Sequence, residues 1–182
     1  SICQFNVEGQ RIKAHPEYNM DNRLLLDKID YEKGTITLPS GVYPLNDTNF
    51  PTIDPKDPYK FSPEEKAMLE AIEPTFTQND KLQAHIKYMF THGALYTIVN
   101  GNLLFHGCIP MNEDGTFKEI EIDGKKLSGR GYMDYLDKKV RSDYFHPKEY
   151  EAVGYNGDLM WYLWLAENSP LFGKDQMTTL ER

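Results

Sequence analysis

The segment Ala94–Phe117, ALYTIVNGNLLFHGCIPMNEDGTF, decides how the chain is read. Two apolar runs, Ala94–Val99 and Leu103–Phe105, flank Asn100-Gly101, a dipeptide suited to the positive φ angles of a tight hairpin turn. The second run looks like a buried strand that ends on His106. Gly107 follows, Pro110 breaks the run, and Asn112–Gly115 turns the chain. An imidazole at the end of a strand is held rigidly, and a glycine beside it lets backbone or substrate come close. This pattern fits a metal ligand. It also fits a core histidine satisfied by a backbone carbonyl.

Outward from this hairpin, the rest of the chain reads as α+β, with about four helices and short β-hairpins. Thr35–Leu38 and Val42–Leu45 are strand-like around Pro39-Ser40-Gly41. Residues 46–59 are a Pro- and Asp-rich connector, in which Asp47, Asp54 and Asp57 fit ordinary loop chemistry or a shared cation. Ser62-Pro63-Glu64-Glu65 is a helix start with a capping box, and that helix is expected to end near Pro74. A second helix follows Asp80, with Leu82, Ile86, Met89 and Phe90 on one stripe and Gly93 as its stop. Phe117–Ile122 and Lys125–Leu127 form another hairpin around Asp123-Gly124. Gly131–Phe145 is helical, with Tyr132, Leu136, Val140 and Tyr144 aligned. Arg23–Ile29 is a short helix or buried turn. Leu159–Glu167 is apolar all round, so it is a buried helix or it packs against another surface. Self-association into a homo-oligomer would be one way to cover it.

The bulk numbers narrow the functional classes. The 182 residues are 40% hydrophobic and 13% aromatic, enough for a core, and carry a net charge of −8. No basic run stands out, which argues against nucleic acid and anionic membrane as partners. Cys3 and Cys108 make no disulfide framework and no Cys-x-x-Cys pattern, which points to a reducing cytoplasm. The longest apolar run, Leu159–Ala166, is too short to span a bilayer. The chain opens on Ser1, with Ile2, Phe5 and Gly9 resembling turns of a helix already under way, and closes at Thr178–Arg182 without a helix stop. It reads as a single piece, residues 1–182, of a longer protein.

No other histidine completes a metal site. His85 lies on a helix and His92 at a helix end; His15 and His146 precede prolines. No pair has the i, i+4 spacing of a helical metal site. Asn112–Gly115 lacks the alternating acids of a calcium loop. No serine sits in a Gly-x-Ser-x-Gly elbow, so no catalytic nucleophile is assigned. Cys108 is the remaining candidate thiol, two residues from His106. Asn168–Lys174, NSPLFGK, follows the most apolar helix: Lys174 could meet a phosphate, with Gly173 allowing close approach, or the loop could bury Phe172 and leave Lys174 in water.

The strings LLLDKIDYEKGTITL, DTNFPTIDPKDPY, LLFHGCIPMNEDGTFK, DLMWYLW and NSPLFGKDQMTT together resemble the bacterial class III fructose-1,6-bisphosphatases of Firmicutes and Bacteroidetes. The resemblance runs from about Phe5 to Arg182. It implies a branch of the calcineurin-like metallophosphoesterases that holds two divalent metals, usually Mn2+. His106-Gly107 matches the family's strand-end His-Gly element, so the resemblance implies that His106 is a metal ligand. The family's Gly-Asn-His and Gly-His motifs are absent from this sequence, so the resemblance implies a central fragment: a partial metallophosphoesterase core with an inserted cap. The implied activity is hydrolysis of the 1-phosphate of fructose 1,6-bisphosphate to fructose 6-phosphate in gluconeogenesis, with the fragment alone inactive. Asn168, Ser169 and Lys174 are the candidate substrate-binding residues. Where the family commonly carries Cys-Gly-Pro before the Asn-Ser pair, this chain has Leu165-Ala166-Glu167, and an acidic Glu167 beside a phosphate site opposes that assignment. Two other readings remain: a non-catalytic regulatory or interaction module, and a phosphoesterase of the same fold with another substrate.

Overall fold

The computed structural model describes residues 2–146 and 158–174, with side chains from residue 8 onward. Residues 175–182, which close the last family-like string and the chain end, lie outside the described residues. The described residues fall into two compact units, one within 2–79 and one from 80 onward.

In the first unit, helix α1 (Ile2–Ala14) is followed by three short 3-10 turns and an antiparallel sheet of β1 (Ile29–Asp30), β2 (Thr35–Leu38) and β3 (Gly41–Pro44). The register pairs Ile36 with Tyr43 and Leu38 with Gly41. Leu25, Leu26, Ile29, Ile36 and Tyr59 form the core of this unit. Tyr59 comes from the Pro- and Asp-rich connector, whose Asp47 and Asp54 side chains close local turns onto the amides of Asn49 and Lys56. Its hydroxyl accepts a hydrogen bond from the Leu26 amide at 3.2 Å, and Gly9 of α1 leaves room for its ring.

Helix α2 (Pro63–Thr77) starts on the expected capping box. Ser62 accepts from the Glu65 amide at 3.2 Å, and Glu65 accepts from the Ser62 amide at 2.8 Å. The helix does not stop at Pro74 but continues to Thr77. Pro74 removes one donor near the end of an exposed helix, where water can satisfy the carbonyl it leaves. The hydroxyls of Thr75 and Thr77 donate to the carbonyls of Ile72 and Glu73 over the same turn.

The second unit opens with α3 (Asp80–His92), which ends at the expected Gly93. Strands β4 (Tyr96–Val99) and β5 (Asn102–Phe105) then pair as a hairpin, with Tyr96 opposite Phe105. Asn100 and Gly101 take φ angles of 52° and 77°, the left-handed values their side chains permit. β5 ends at Phe105, one residue before His106, and is not buried: all four of its residues are exposed among the described atoms. Its apolar character therefore did not mean a core position in this chain. The hairpin is tied to helix α4 (Gly129–Phe145) by polar bonds: Leu95 N–H donates to Asp137 at 3.0 Å and the Tyr96 hydroxyl donates to Asp134 at 2.6 Å.

The third hairpin is shorter than its apolar run, with β6 (Ile120–Ile122) paired to β7 (Lys125–Leu127) around Asp123-Gly124. α4 begins two residues earlier than its stripe suggests. It buries Tyr132, Leu136 and Val140, while Tyr144 stacks on Phe90 of α3 with ring centroids 4.1 Å apart. Helix α5 (Asp158–Leu165) is buried on nearly every side, Trp164 being its exposed residue. The fold is thus α+β with small antiparallel sheets. Five α-helices occur among the described residues rather than four, because the turns near the N-terminus form a full thirteen-residue helix.

Candidate functional site

Two motifs distant in sequence meet in the second unit. His106, Gly107 and Cys108 leave β5 and run against the turn that follows α5. Three consecutive carbonyls of that turn receive their donors. The Ser169 carbonyl accepts from the Cys108 thiol at 3.4 Å. The Pro170 carbonyl accepts from the amides of Gly107 and Cys108 at 2.8 and 3.1 Å. The Leu171 carbonyl accepts from Nδ1 of His106 at 3.0 Å, across 65 residues of chain.

This last bond has a chemical consequence. A carbonyl oxygen can only accept, so Nδ1 carries the proton. In the neutral ring the lone pair then lies on Nε2. His106 is exposed, so that lone pair can reach a ligand. A backbone carbonyl on one ring nitrogen is the usual way in which a metal-ligating histidine is oriented.

Gly107 explains itself by contact rather than by backbone angle. A Cβ there would lie 2.5 Å from the Pro170 oxygen and 2.8 Å from the Leu171 carbonyl carbon. Gly173 is needed on both counts: its φ is +64°, and a Cβ would lie 2.6 Å from the Cys108 sulfur. Each glycine thus clears room for the opposite segment.

The other site candidates separate. Ser169 is fully buried. Its hydroxyl donates to the Leu163 carbonyl at the end of α5 and accepts from the Leu171 amide at 3.1 Å, so it holds the turn. Asn168 is half-buried; its side-chain oxygen accepts from Lys118 Nζ at 3.0 Å and its carbonyl accepts from the Tyr132 hydroxyl at 3.1 Å. Lys174 is exposed, with Nζ 5.9 Å from the centre of the Phe172 ring. Burial pushes the Cys108 thiol above its ordinary pKa, which opposes a thiolate nucleophile beside His106.

Lys118 was not singled out from sequence. Its ammonium lies 3.6 Å from Glu167 as well as beside Asn168, so the acid that precedes the Asn-Ser pair sits next to a cation. A lysine just past a turn carries no local mark of this role. A mostly apolar cleft of about 210 Å³, lined by Met89, Phe90, Leu95, Val140, Leu163 and Leu171 together with Asp137 and Arg141, lies in the same unit.

The donor set tests the implied metal. Among the described residues, no three His, Cys, Asp or Glu side chains gather to hold an ion. His106 fits one ligand position of a metal site and cannot make one alone. No helix among the described residues is long and apolar enough to cross a membrane.

His106 follows β5 with its ring exposed and Nδ1 engaged by the Leu171 carbonyl, and comparison with known proteins gives the family. The family described as Firmicute fructose-1,6-bisphosphatase matches residues 1–182, and the chain belongs to it. The chain is 52% identical over 182 residues to the class 3 fructose-1,6-bisphosphatase of Clostridium novyi, all of this chain and 27% of that protein. It is 50% identical over its whole length to the class 3 enzyme of Clostridium tetani, covering 28% of it, and 48% identical to that of Clostridium acetobutylicum, covering 27%. The chain therefore spans about a quarter of the length of these relatives. No solved structure matches it.

Proposed function

We propose that the protein to which this chain contributes hydrolyses the 1-phosphate of fructose 1,6-bisphosphate, releasing fructose 6-phosphate and phosphate in gluconeogenesis, in the cytoplasm. In this reading the chain is the central part of the enzyme, a cap segment joined to an incomplete metallophosphoesterase core. His106 supplies one ligand, through Nε2, to a divalent metal pair, with Mn2+ the expected ion. The bound pair would supply Lewis acidity toward the phosphate being cleaved.

The chain's own residues do the orienting. The turn after α5 fixes the His106 ring through the Leu171 carbonyl, and Gly107 lets that turn close against it. Lys174 is the candidate contact for a phosphate oxygen. Asn168 is held by Lys118, which screens Glu167 beside it. Ser169 belongs to the support of the site, because its buried hydroxyl is engaged within the turn. The observation that carries the reading is the bond from His106 Nδ1 to the Leu171 carbonyl in a chain that matches the family throughout.

The test is phosphate release from fructose 1,6-bisphosphate with Mn2+, using the longer protein, its His106→Ala variant and the 182-residue chain side by side. The longer protein should be active. The variant should lose about two orders of magnitude or more, and the chain alone should release no phosphate. Full activity in His106→Ala would remove His106 from the metal site. Faster turnover of another sugar phosphate would keep the chemistry and change the substrate.

A further inference from the structure

The bond that orients His106 depends on where the Leu171 carbonyl sits, and that carbonyl belongs to the turn after α5. Its peptide plane is held by the Phe172 amide, which donates to the Ser169 carbonyl at 3.2 Å. The preceding amide, that of Leu171, donates to the Ser169 hydroxyl at 3.1 Å. That hydroxyl in turn donates to the Leu163 carbonyl in the last turn of α5, where helical carbonyls lack amide partners. The Ser169 hydroxyl thus links the end of α5 to the amide of Leu171, the residue whose carbonyl faces His106. It is 0% exposed, so it meets neither solvent nor substrate.

We propose that Ser169 is a positioning residue for His106: its buried hydroxyl aims the Leu171 carbonyl at Nδ1 and so holds the imidazole in the tautomer whose Nε2 lone pair is available. A neutral histidine in water favours the opposite tautomer, with the proton on Nε2. The turn thus selects the form whose lone pair lies on the outward nitrogen, Nε2. The consequence for metal binding rests on the reading of His106 given under the proposed function; the tautomer itself does not.

The experiment is long-range proton–nitrogen NMR on the chain labelled with 15N-histidine, without metal and at a pH above the ordinary imidazole pKa of about 6.5. His106→Gln assigns the signal. The parent chain should show a pyrrole-type Nδ1 and a pyridine-type Nε2 at His106. Ser169→Ala, with its amide spectrum still dispersed, should show averaged shifts, meaning a tautomer mixture. Ser169→Cys, which keeps a weaker donor of similar size, should fall between the two.

An Nε2–H tautomer in the parent chain would overturn the proposal whatever the variants do. So would a pure Nδ1–H tautomer in folded Ser169→Ala. In the longer protein the same variant should raise the Mn2+ concentration for half-maximal activity by about 10- to 100-fold, the size expected for a lost partner of a metal ligand. If His106→Ala keeps its activity while the tautomer behaves as expected, the metal reading fails and the positioning role stands.

Discussion

Replacing Gly107 with alanine tests the junction of the two motifs most directly. The added Cβ would stand 2.5 Å from the Pro170 oxygen, 2.8 Å from the Leu171 carbon and 3.0 Å from the Leu171 oxygen. All three are backbone atoms, so no side chain can rotate out of the way. The turn must retreat by about an ångström to reach ordinary contact. Overpacking of this kind costs about 1–3 kcal/mol. The retreat also stretches the two amide bonds to the Pro170 carbonyl, each contributing about 1 kcal/mol, though water can replace part of that at an exposed position. The expected loss is about 2–4 kcal/mol.

Urea unfolding followed by tryptophan fluorescence reads this well, because Trp161 and Trp164 both lie on α5, just before the turn. With an m-value of about 2 kcal/mol/M, the midpoint should fall by about 1–2 M. Gly131→Ala is the matched control. Gly131 lies inside α4, and a Cβ there meets nothing within 4 Å. Alanine should stabilise that helix by up to about 1 kcal/mol. If Gly107→Ala leaves the midpoint within 0.2 M of the parent, about 0.4 kcal/mol at that m-value, the turn does not sit against Gly107 as described.

Three further predictions concern the supports around the site. Tyr132→Phe removes the hydroxyl that donates to the half-buried Asn168 carbonyl and bonds to the buried Tyr162 hydroxyl, and should cost about 1–2 kcal/mol in the same unfolding assay. Burial raises the pKa of both Tyr132 and Tyr162. The folded chain therefore keeps phenol protons that the unfolded chain loses above pH of about 10, so stability is full below that pH and falls as pH rises past it. The fall should be shallower in Tyr132→Phe, as measured by unfolding midpoints at several alkaline pH values. Ser62→Ala removes the N-cap of α2 and should cost about 1 kcal/mol, seen as faster amide exchange over Glu64–Lys66. In a Cys3→Ser background, the half-buried Cys108 thiol should alkylate more slowly in the folded chain than in urea, because burial holds it protonated.

Much of the local structure was legible in the residues themselves. Asn100-Gly101 and Asp123-Gly124 can adopt left-handed backbone angles, and both turn hairpins do. Ser62 and Glu65 carry a capping box in their spacing, and it forms. The 3.6-residue stripe of Tyr132, Leu136 and Val140 marks the buried face of α4. The long family-like strings led to the family that the comparisons identify. These features depend on neighbours within a few residues, so order along the chain carries them.

Tertiary structure decided the rest. Leu103, Leu104 and Phe105 are apolar enough for a core strand, yet they are exposed here, since hydrophobicity records a preference for burial without naming the surface that provides it. Ser169 looked like a polar residue available to a phosphate, and folding closed it inside a turn. His106 and Leu171 are joined by one hydrogen bond across 65 residues, and nothing in either residue type announces it. Every residue other than proline carries the same backbone amide, and every residue the same carbonyl. Which carbonyl meets which imidazole is set by the packing that brings two distant segments together, so that information exists only in the folded chain.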